Sequence, residues 1–311
     1  MQDKYYREID YARISITDYC NLSCRYCKSE ADAILEKQVS QKQLFNLIDV
    51  LDELKFRKIR FTGGEPLLND WIVSLVEYTN NKEHIKDIGL TTNAVLLDKY
   101  LDALIKAGLK RINISLDTLD DNKYYEITKT NYLQRVKDNI ALAVASELIV
   151  KVNVVLLKGV NDNEIVNFLE FGRLNNVQIR FIELMPIGEN DDFIKDKQLN
   201  IRDKFKNYQS REKKPNCKDV SDYYIDEYGY CFGIISPISN HFCERCNRIR
   251  FTSDGKLRLC LHSDNELDIY EYLNKKEELK ALILNYIKEK PEKHYLNENM
   301  KANKGMSKIG G

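Results

Sequence analysis

Residues 18–27 read Asp-Tyr-Cys-Asn-Leu-Ser-Cys-Arg-Tyr-Cys, with Cys20, Cys24 and Cys27 spaced three and then two residues apart. Thiols this close do not pair as strain-free disulfides, but they can converge on one inorganic centre. Zinc sites and four-iron clusters both use such spacings. Zinc ordinarily completes a tetrahedron with a fourth protein ligand nearby, whereas the next cysteine here is Cys217. A cluster held by three cysteines keeps one iron open for a non-protein ligand.

Working outward, the triad follows a strand-like run at 12–17, and the chain then alternates strands and helices up to residue 183. Ser40 caps an amphipathic helix over 41–54, with Leu44, Leu47, Ile48, Leu51 and Leu54 on one face. Strands are expected at 58–62, 87–91, 111–115, 150–156 and 178–183. The helices between them fall near 71–78, 98–106, 136–146 and 164–174. Six β/α units in sequence predict a parallel sheet with right-handed crossovers and helices outside. Six is two short of a closed barrel, so the fold class is α/β, a partial TIM-like (β/α)6 barrel with its site at the C-terminal mouth. Residues 1–186 form this core and 187–311 a C-terminal region. There, 188–230 reads as irregular structure with short strands, and 232–239, 248–252 and 257–260 as strands with a turn at Ser253-Asp254-Gly255-Lys256. Residues 267–289 have helical periodicity, and the polar tail 292–311 is expected to be disordered.

Composition narrows the class. The chain has 311 residues, with 48 basic and 48 acidic, so no overall field recruits nucleic acid or membrane. No apolar run approaches a membrane span; 148–157 is broken by Lys151 and Asn153. The N-terminus lacks an apolar signal segment. Eight cysteines in such a chain favour metal or redox chemistry over a disulfide framework, and a cytoplasmic location.

A second triad, Cys243, Cys246 and Cys260, follows the same logic. Alone it fits a Cys3His zinc site with His262 or His241 equally well; beside the first triad, two iron–sulfur clusters become the better reading. The first triad's spacing resembles that of radical S-adenosylmethionine (SAM) enzymes. More specifically, the chain from about Ala12 onward resembles the GTP 3′,8-cyclases of molybdenum-cofactor biosynthesis. The resemblance rests on Arg13-Ile-Ser-Ile-Thr-Asp, Thr62-Gly-Gly-Glu-Pro-Leu-Leu, Thr91-Thr-Asn, Ile114-Ser-Leu-Asp-Thr-Leu and Val150-Lys-Val-Asn-Val-Val. Gly159-Val-Asn-Asp, Arg180-Phe-Ile-Glu-Leu-Met-Pro-Ile-Gly, Ile235-Ser-Pro, Cys246-Asn-Arg-Ile-Arg, Thr252-Ser-Asp-Gly-Lys-Leu and the closing Gly-Gly add to it.

That resemblance implies two 4Fe–4S clusters and SAM as cofactors, with the first cluster on Cys20, Cys24 and Cys27 and the second on Cys243, Cys246 and Cys260. It implies SAM contacts at Tyr26, Gly64, Ser115 and Met185, with Gly63 and Gly64 letting backbone approach the SAM amino acid moiety. GTP is the implied substrate. A triphosphate calls for clustered guanidinium and ammonium groups, and Arg13, Arg60 and Lys151, set within apolar strands, invite a buried anion. Salt bridges to Glu65 or Glu183 are the plainer alternative. Arg248 and Arg250 alternate on a strand and face one way; the family adds Thr91 and Ile249. In the implied reaction a 5′-deoxyadenosyl radical removes the 3′ hydrogen of GTP and the C3′ radical closes on C8. The second cluster fixes the guanine, and Gly310 and Gly311 reach into the active site. Implied partners are a flavodoxin-like electron donor and cyclic pyranopterin monophosphate synthase, which takes the product; a homodimer is one assembly open to the chain.

The chain departs from the family pattern at Tyr19, where Arg is usual, and at Lys28-Ser29, where Met-Pro is usual. The stretch from Cys27 to the first helix is also short, which bears on SAM affinity or loop closure. Cys217 and Cys231 have no assigned role. Two other readings compete: a peptide-modifying radical SAM maturase with an auxiliary cluster, and a zinc-binding scaffold without catalysis.

Overall fold

The computed structural model describes residues 1–27, 37–187, 191–212, 219–294 and 305–309. Its first half is a run of strand–helix units: β1 (Tyr11–Ser15), α1 (Gln41–Glu53), β2 (Lys58–Thr62), α2 (Ile72–Asn80), β3 (Asp87–Thr92), α3 (Leu97–Lys106) and β4 (Arg111–Ser115). It continues through α4 (Asp121–Thr128), α5 (Leu133–Val144), β5 (Ile149–Leu156), α6 (Ile165–Leu174) and β6 (Gln178–Glu183). Ser40 caps α1 as expected, in a capping box with Gln43: the Ser40 N–H donates to Gln43 Oε1 at 2.9 Å and the Gln43 N–H to Ser40 Oγ at 3.4 Å.

The C-terminal half adds α7 (Asp191–Lys197), α8 (Ile201–Lys204), β7 (Gln209–Arg211), β8 (Asp222–Ile225) and β9 (Cys231–Ile235). After these come β10 (Arg248–Phe251), β11 (Lys256–Arg258), β12 (Glu266–Asp268) and α9 (Lys276–Ile287). Among the described residues all strands join one sheet, in the order β12-β11-β10-β1-β2-β3-β4-β5-β6-β9-β8-β7. The six strands β1–β6 are parallel, as their periodicity predicts. The C-terminal half extends this run at both edges, because β10 pairs parallel with β1 and β9 parallel with β6. Antiparallel β11 and β8 occupy the outer sides of those two strands, so the barrel stays open.

Alternation along the strands separates two faces. Ile14, Phe61, Leu90, Ile114, Val152 and Phe181 point outward into the core beneath the helices, each essentially inaccessible. The opposite parity, Arg13, Arg60, Gly89, Asn113, Lys151 and Arg180, lines the inside. Burial of the first set drives the fold; the second set is left for chemistry.

Four expectations change. Helix α4 falls where no element is predicted; Asp120 caps it by accepting from the Lys123 N–H, but its short apolar face (Tyr124, Ile127) gives little periodic signal. Residues 188–230 hold α7 and α8 besides strands. The helical periodicity of 267–289 conceals β12, whose Leu267 pairs with Leu257, and a 3-10 turn at Tyr270–Tyr272; only α9 is α-helical. Within the tail, 305–309 is packed: Ile309 is fully buried against Ile187, with Met185, Leu261 and Met306 around the pair. Gly310, Gly311, Lys28, Ser29 and Cys217 lie outside the described residues.

Candidate functional site

One cavity of about 650 Å³ runs along the inner face of the parallel strands, and all six cysteines of the two triads line it. Cys20 leaves the loop after β1, and Cys24 and Cys27 close a turn in which the Cys27 N–H donates to Cys24 O at 3.0 Å. Cys243 and Cys246 bracket a 3-10 turn before β10, and Cys260 follows β11. Burial pushes the Cys243 thiol up, and Cys260 and Cys246 add to the effect, so the second triad shares one electrostatic neighbourhood. Cys246 is half-buried, and desolvation alone would raise its thiol, but Lys290, Arg248 and Arg7 bring it down to about 7.

The first triad packs against the Gly63-Gly64 turn after β2. A Cβ on Gly64 would lie 2.2 Å from Tyr19 O, and one on Gly63 2.5 Å from Thr17 O. These glycines therefore admit the backbone of the cysteine loop itself, which is pinned by Gly64 N–H to Thr17 O and Glu65 N–H to Tyr19 O, both at 2.7 Å. Glu65 is buried and accepts from Thr92 Oγ1 (2.6 Å), the Asn93 N–H (2.7 Å) and the Leu67 N–H (2.9 Å); burial raises its carboxyl to about 7. Tyr26 donates to Asp117 at 2.5 Å. Burial lifts the Asp117 carboxyl to about 6.

Between the triads the inner wall is basic. Arg250, Arg13, Arg60 and Gly89 stand side by side in register on β10, β1, β2 and β3. A Cβ at position 89 would lie 2.9 Å from Cζ of Arg60; glycine lets that guanidinium lie across β3, donating to Tyr11 Oη at 2.8 Å and Leu90 O at 3.0 Å. Burial, together with Arg60 and Arg248, lowers Arg13 to about 10. Burial likewise lowers Arg250, with Arg13 and Arg248 adding to the shift. Burial and then Arg180 bring Lys151 down to about 8. Burial alone would raise the Tyr11 phenol, but Arg60, Arg13, Lys58 and Arg248 outweigh it and bring it to about 6. The wall is thus short of negative charge.

Of the sequence-derived site residues, Tyr26, Gly64, Ser115, Met185, Arg13, Arg60, Thr91, Lys151, Arg248 and Arg250 all line this cavity. Ile249 does not; its parity turns it into the core, fully buried. Neither Glu65 nor Glu183 serves as a salt-bridge partner for the cations. Glu183 accepts from the Ile238 and Ser239 N–H groups, and Lys151 instead faces Asp219 at 3.8 Å. Ser115 does not cap α4, which Asp120 does. His262 Nε2 lies 3.2 Å from Met185 Sδ.

Sequence reasoning missed Arg180, whose guanidinium donates to Asn153 Oδ1 at 2.7 and 3.0 Å. Its signal was present: a lone Arg among apolar residues, at the parity of Arg13. Asp219 and Tyr11 also line the cavity; Asp219 gave no signal, being placed only by folding of the C-terminal half.

The donor set fits iron–sulfur clusters. All six donors are thiols, in two groups of three facing one cavity, and thiolates are the ligands such clusters take. The cysteines described carry no disulfide. Thr91 Oγ1 is buried without a hydrogen-bond partner among the described residues, as suits a hydroxyl that meets a ligand.

Two family models match the chain in succession. Residues 14–172 match the family model of the radical SAM superfamily, and 177–296 that described as Molybdenum Cofactor Synthesis C. The chain is 43% identical to a GTP 3′,8-cyclase of Alkaliphilus oremlandii and 39% identical to that of Clostridium acetobutylicum, in each case covering the full length of both proteins. In fold it is similar to Streptococcus suis SuiB bound to the precursor peptide SuiA (TM-score 0.64, 14% identity), covering 98% of this chain and 76% of that one.

Proposed function

The chain belongs to the radical SAM superfamily and, within it, to the GTP 3′,8-cyclases, and from that premise we propose how its cavity converts GTP to 3′,8-cyclo-7,8-dihydro-GTP. Cys20, Cys24 and Cys27 would hold one 4Fe–4S cluster beside SAM, and Cys243, Cys246 and Cys260 a second beside the guanine. Bound there, the first cluster and SAM supply the 5′-deoxyadenosyl radical that takes the 3′ hydrogen of GTP. The protein's own part is positioning, since a primary alkyl radical takes whatever hydrogen it meets.

Arg13, Arg60, Lys151, Arg248 and Arg250 bind the triphosphate, with Thr91 and the newly found Arg180. Tyr26, Gly64, Ser115 and Met185 line the SAM side, and Asp117 orients Tyr26. Residues 1–186 are then the radical-generating half and 187–311 the substrate-fixing half, with Gly310 and Gly311 completing the active site. The observation that carries the assignment is the row of buried cations lying between two thiol triads on one wall.

The reading also takes in a flavodoxin-like electron donor, transfer of product to cyclic pyranopterin monophosphate synthase, and a cytoplasmic reaction. No described helix is long and apolar enough to cross a membrane. The test is anaerobic reconstitution, reduction, and incubation with SAM and GTP, read by mass spectrometry. Cyclised nucleotide and 5′-deoxyadenosine are expected together, and Arg250→Ala should lose the nucleotide product while still cleaving SAM. Two loaded clusters with no cyclised nucleotide would sink the reading.

A further inference from the structure

The segments that carry the second triad are tied down by two buried cations from opposite ends of the chain. Arg7, 8% exposed, sits in an N-terminal arm folded on itself by the Gln2–Glu8 bridge and by its own Nε–H to Asp3 at 2.6 Å. Its Nη1 donates to Cys243 O at 2.9 Å and Glu292 O at 2.8 Å, and its Nη2 to Pro291 O at 2.6 Å. Lys290, 2% exposed, lies just beyond α9; its Nζ donates to Arg248 O at 2.8 Å and to Leu259 O. One of those carbonyls stands two residues after Cys246 and the other one residue before Cys260. Each thiol therefore has, within two residues, a backbone carbonyl gripped by one of the cations.

Bracing alone does not explain the choice of residue. The hydrogen bonds of Lys290 go to carbonyls and to no carboxylate among the described residues, and a buried ammonium in that setting is costly unless an anion lies close. Thiolates bound to a cluster are such an anion. The first triad has different company: Tyr26, next to Cys27, bonds the Asp117 carboxyl, and Glu65 lies on the same side of the cavity. A fixed positive charge near one centre and carboxyls near the other make their electrostatic settings unequal.

Resting on the reading that the second triad holds an iron–sulfur cluster, we propose that Arg7 and Lys290 are positioning residues for it. They hold the backbone of Cys243, Cys246 and Cys260, and they raise that cluster's reduction potential by favouring its more negative, reduced form.

The test uses the full-length chain with Cys20, Cys24 and Cys27 replaced by Ala, so that a single centre gives the signal. After anaerobic reconstitution, iron and sulfide are counted and the centre is titrated with dithionite under EPR. Lys290→Met should shift the one-electron reduction equilibrium toward the oxidised form by about tenfold, or about 59 mV, with circular dichroism unchanged. Lys290→Arg should keep the parent's value. Arg7→Gln should shift it the same way and lower iron loading, and Arg7→Lys should recover the potential. Unmoved potentials in Lys290→Met and Arg7→Gln overturn the proposal, as does a Lys290→Arg shift equal to that of Lys290→Met. If Lys290→Met does not fold, the Arg7→Gln titration alone decides. A parent protein that loads no iron overturns the cluster reading itself; loaded iron with unmoved potentials overturns only the role of the two cations.

Discussion

Single residues decide whether the basic wall can take a polyanion. Gly89 matters because the Arg60 guanidinium occupies the space its side chain would fill. In Gly89→Ala the atoms nearest the new methyl are the far end of the Arg60 side chain, so the strand survives and Arg60 moves. GTP binding should weaken by roughly tenfold, equivalent to about 1.4 kcal/mol, with little change in melting temperature; calorimetric titration and thermal unfolding separate the two. Lys151 makes a pH prediction. Its ammonium, lowered from 10.5 to about 8, loses its proton as pH rises through 8, so GTP must then bind with proton uptake. Affinity should fall above pH 8 in the wild type and stay flatter in Lys151→Met. Stability of the nucleotide-free protein has the opposite sign: between about 8 and 10.5 the unfolded chain holds this proton and the folded one does not, so the Lys151 contribution grows more favourable with pH there.

Among the elements, the contact between the cysteine loop and the Gly63-Gly64 turn is the most demanding. The clash that a Cβ at Gly64 would create is with the Tyr19 and Asp18 backbone, which cannot swing aside as a guanidinium can. Gly64→Ala should therefore displace the loop that carries Cys20. The expected result is loss of the first centre's iron, about half the total, with the second centre's EPR signal intact. Iron retained at both centres would show that the loop adapts. The same contact does not depend on the side chain at position 19, where Tyr stands in place of the family's usual Arg: the Tyr19 carbonyl accepts from the Glu65 N–H, and its side chain is half exposed.

Across the whole molecule, segments near both ends of the chain pack beside the residues of the second triad. The N-terminal arm reaches Cys243 through Arg7, and Ile309 is buried beside Met185 and Leu261. Ile309 belongs to a small cluster rather than the main core, so Ile309→Ala should cost about 2 kcal/mol, the low end for a buried isoleucine. The larger effect should be on coupling: less cyclised product per 5′-deoxyadenosine formed, with both centres still loaded. An unchanged ratio would separate the tail's packing from the reaction.

The strand–helix rhythm of residues 11–183 and both cysteine triads were legible because they are local: period-two and period-3.6 burial and fixed thiol spacing need no knowledge of distant residues. A cation set within an apolar strand also marked Arg13, Arg60 and Lys151, and the same sign would have marked Arg180. Only the tertiary structure could show that β9 and β10 extend the parallel sheet at its two edges, or that residues 266–268 form a strand. It alone revealed that Gly89 makes room for Arg60, that Asp219 approaches Lys151, and that Lys290 lies under the second triad. Each of those depends on which distant segment arrives alongside, and that is set by packing of the complete sheet, to which a short stretch of sequence contributes only one side.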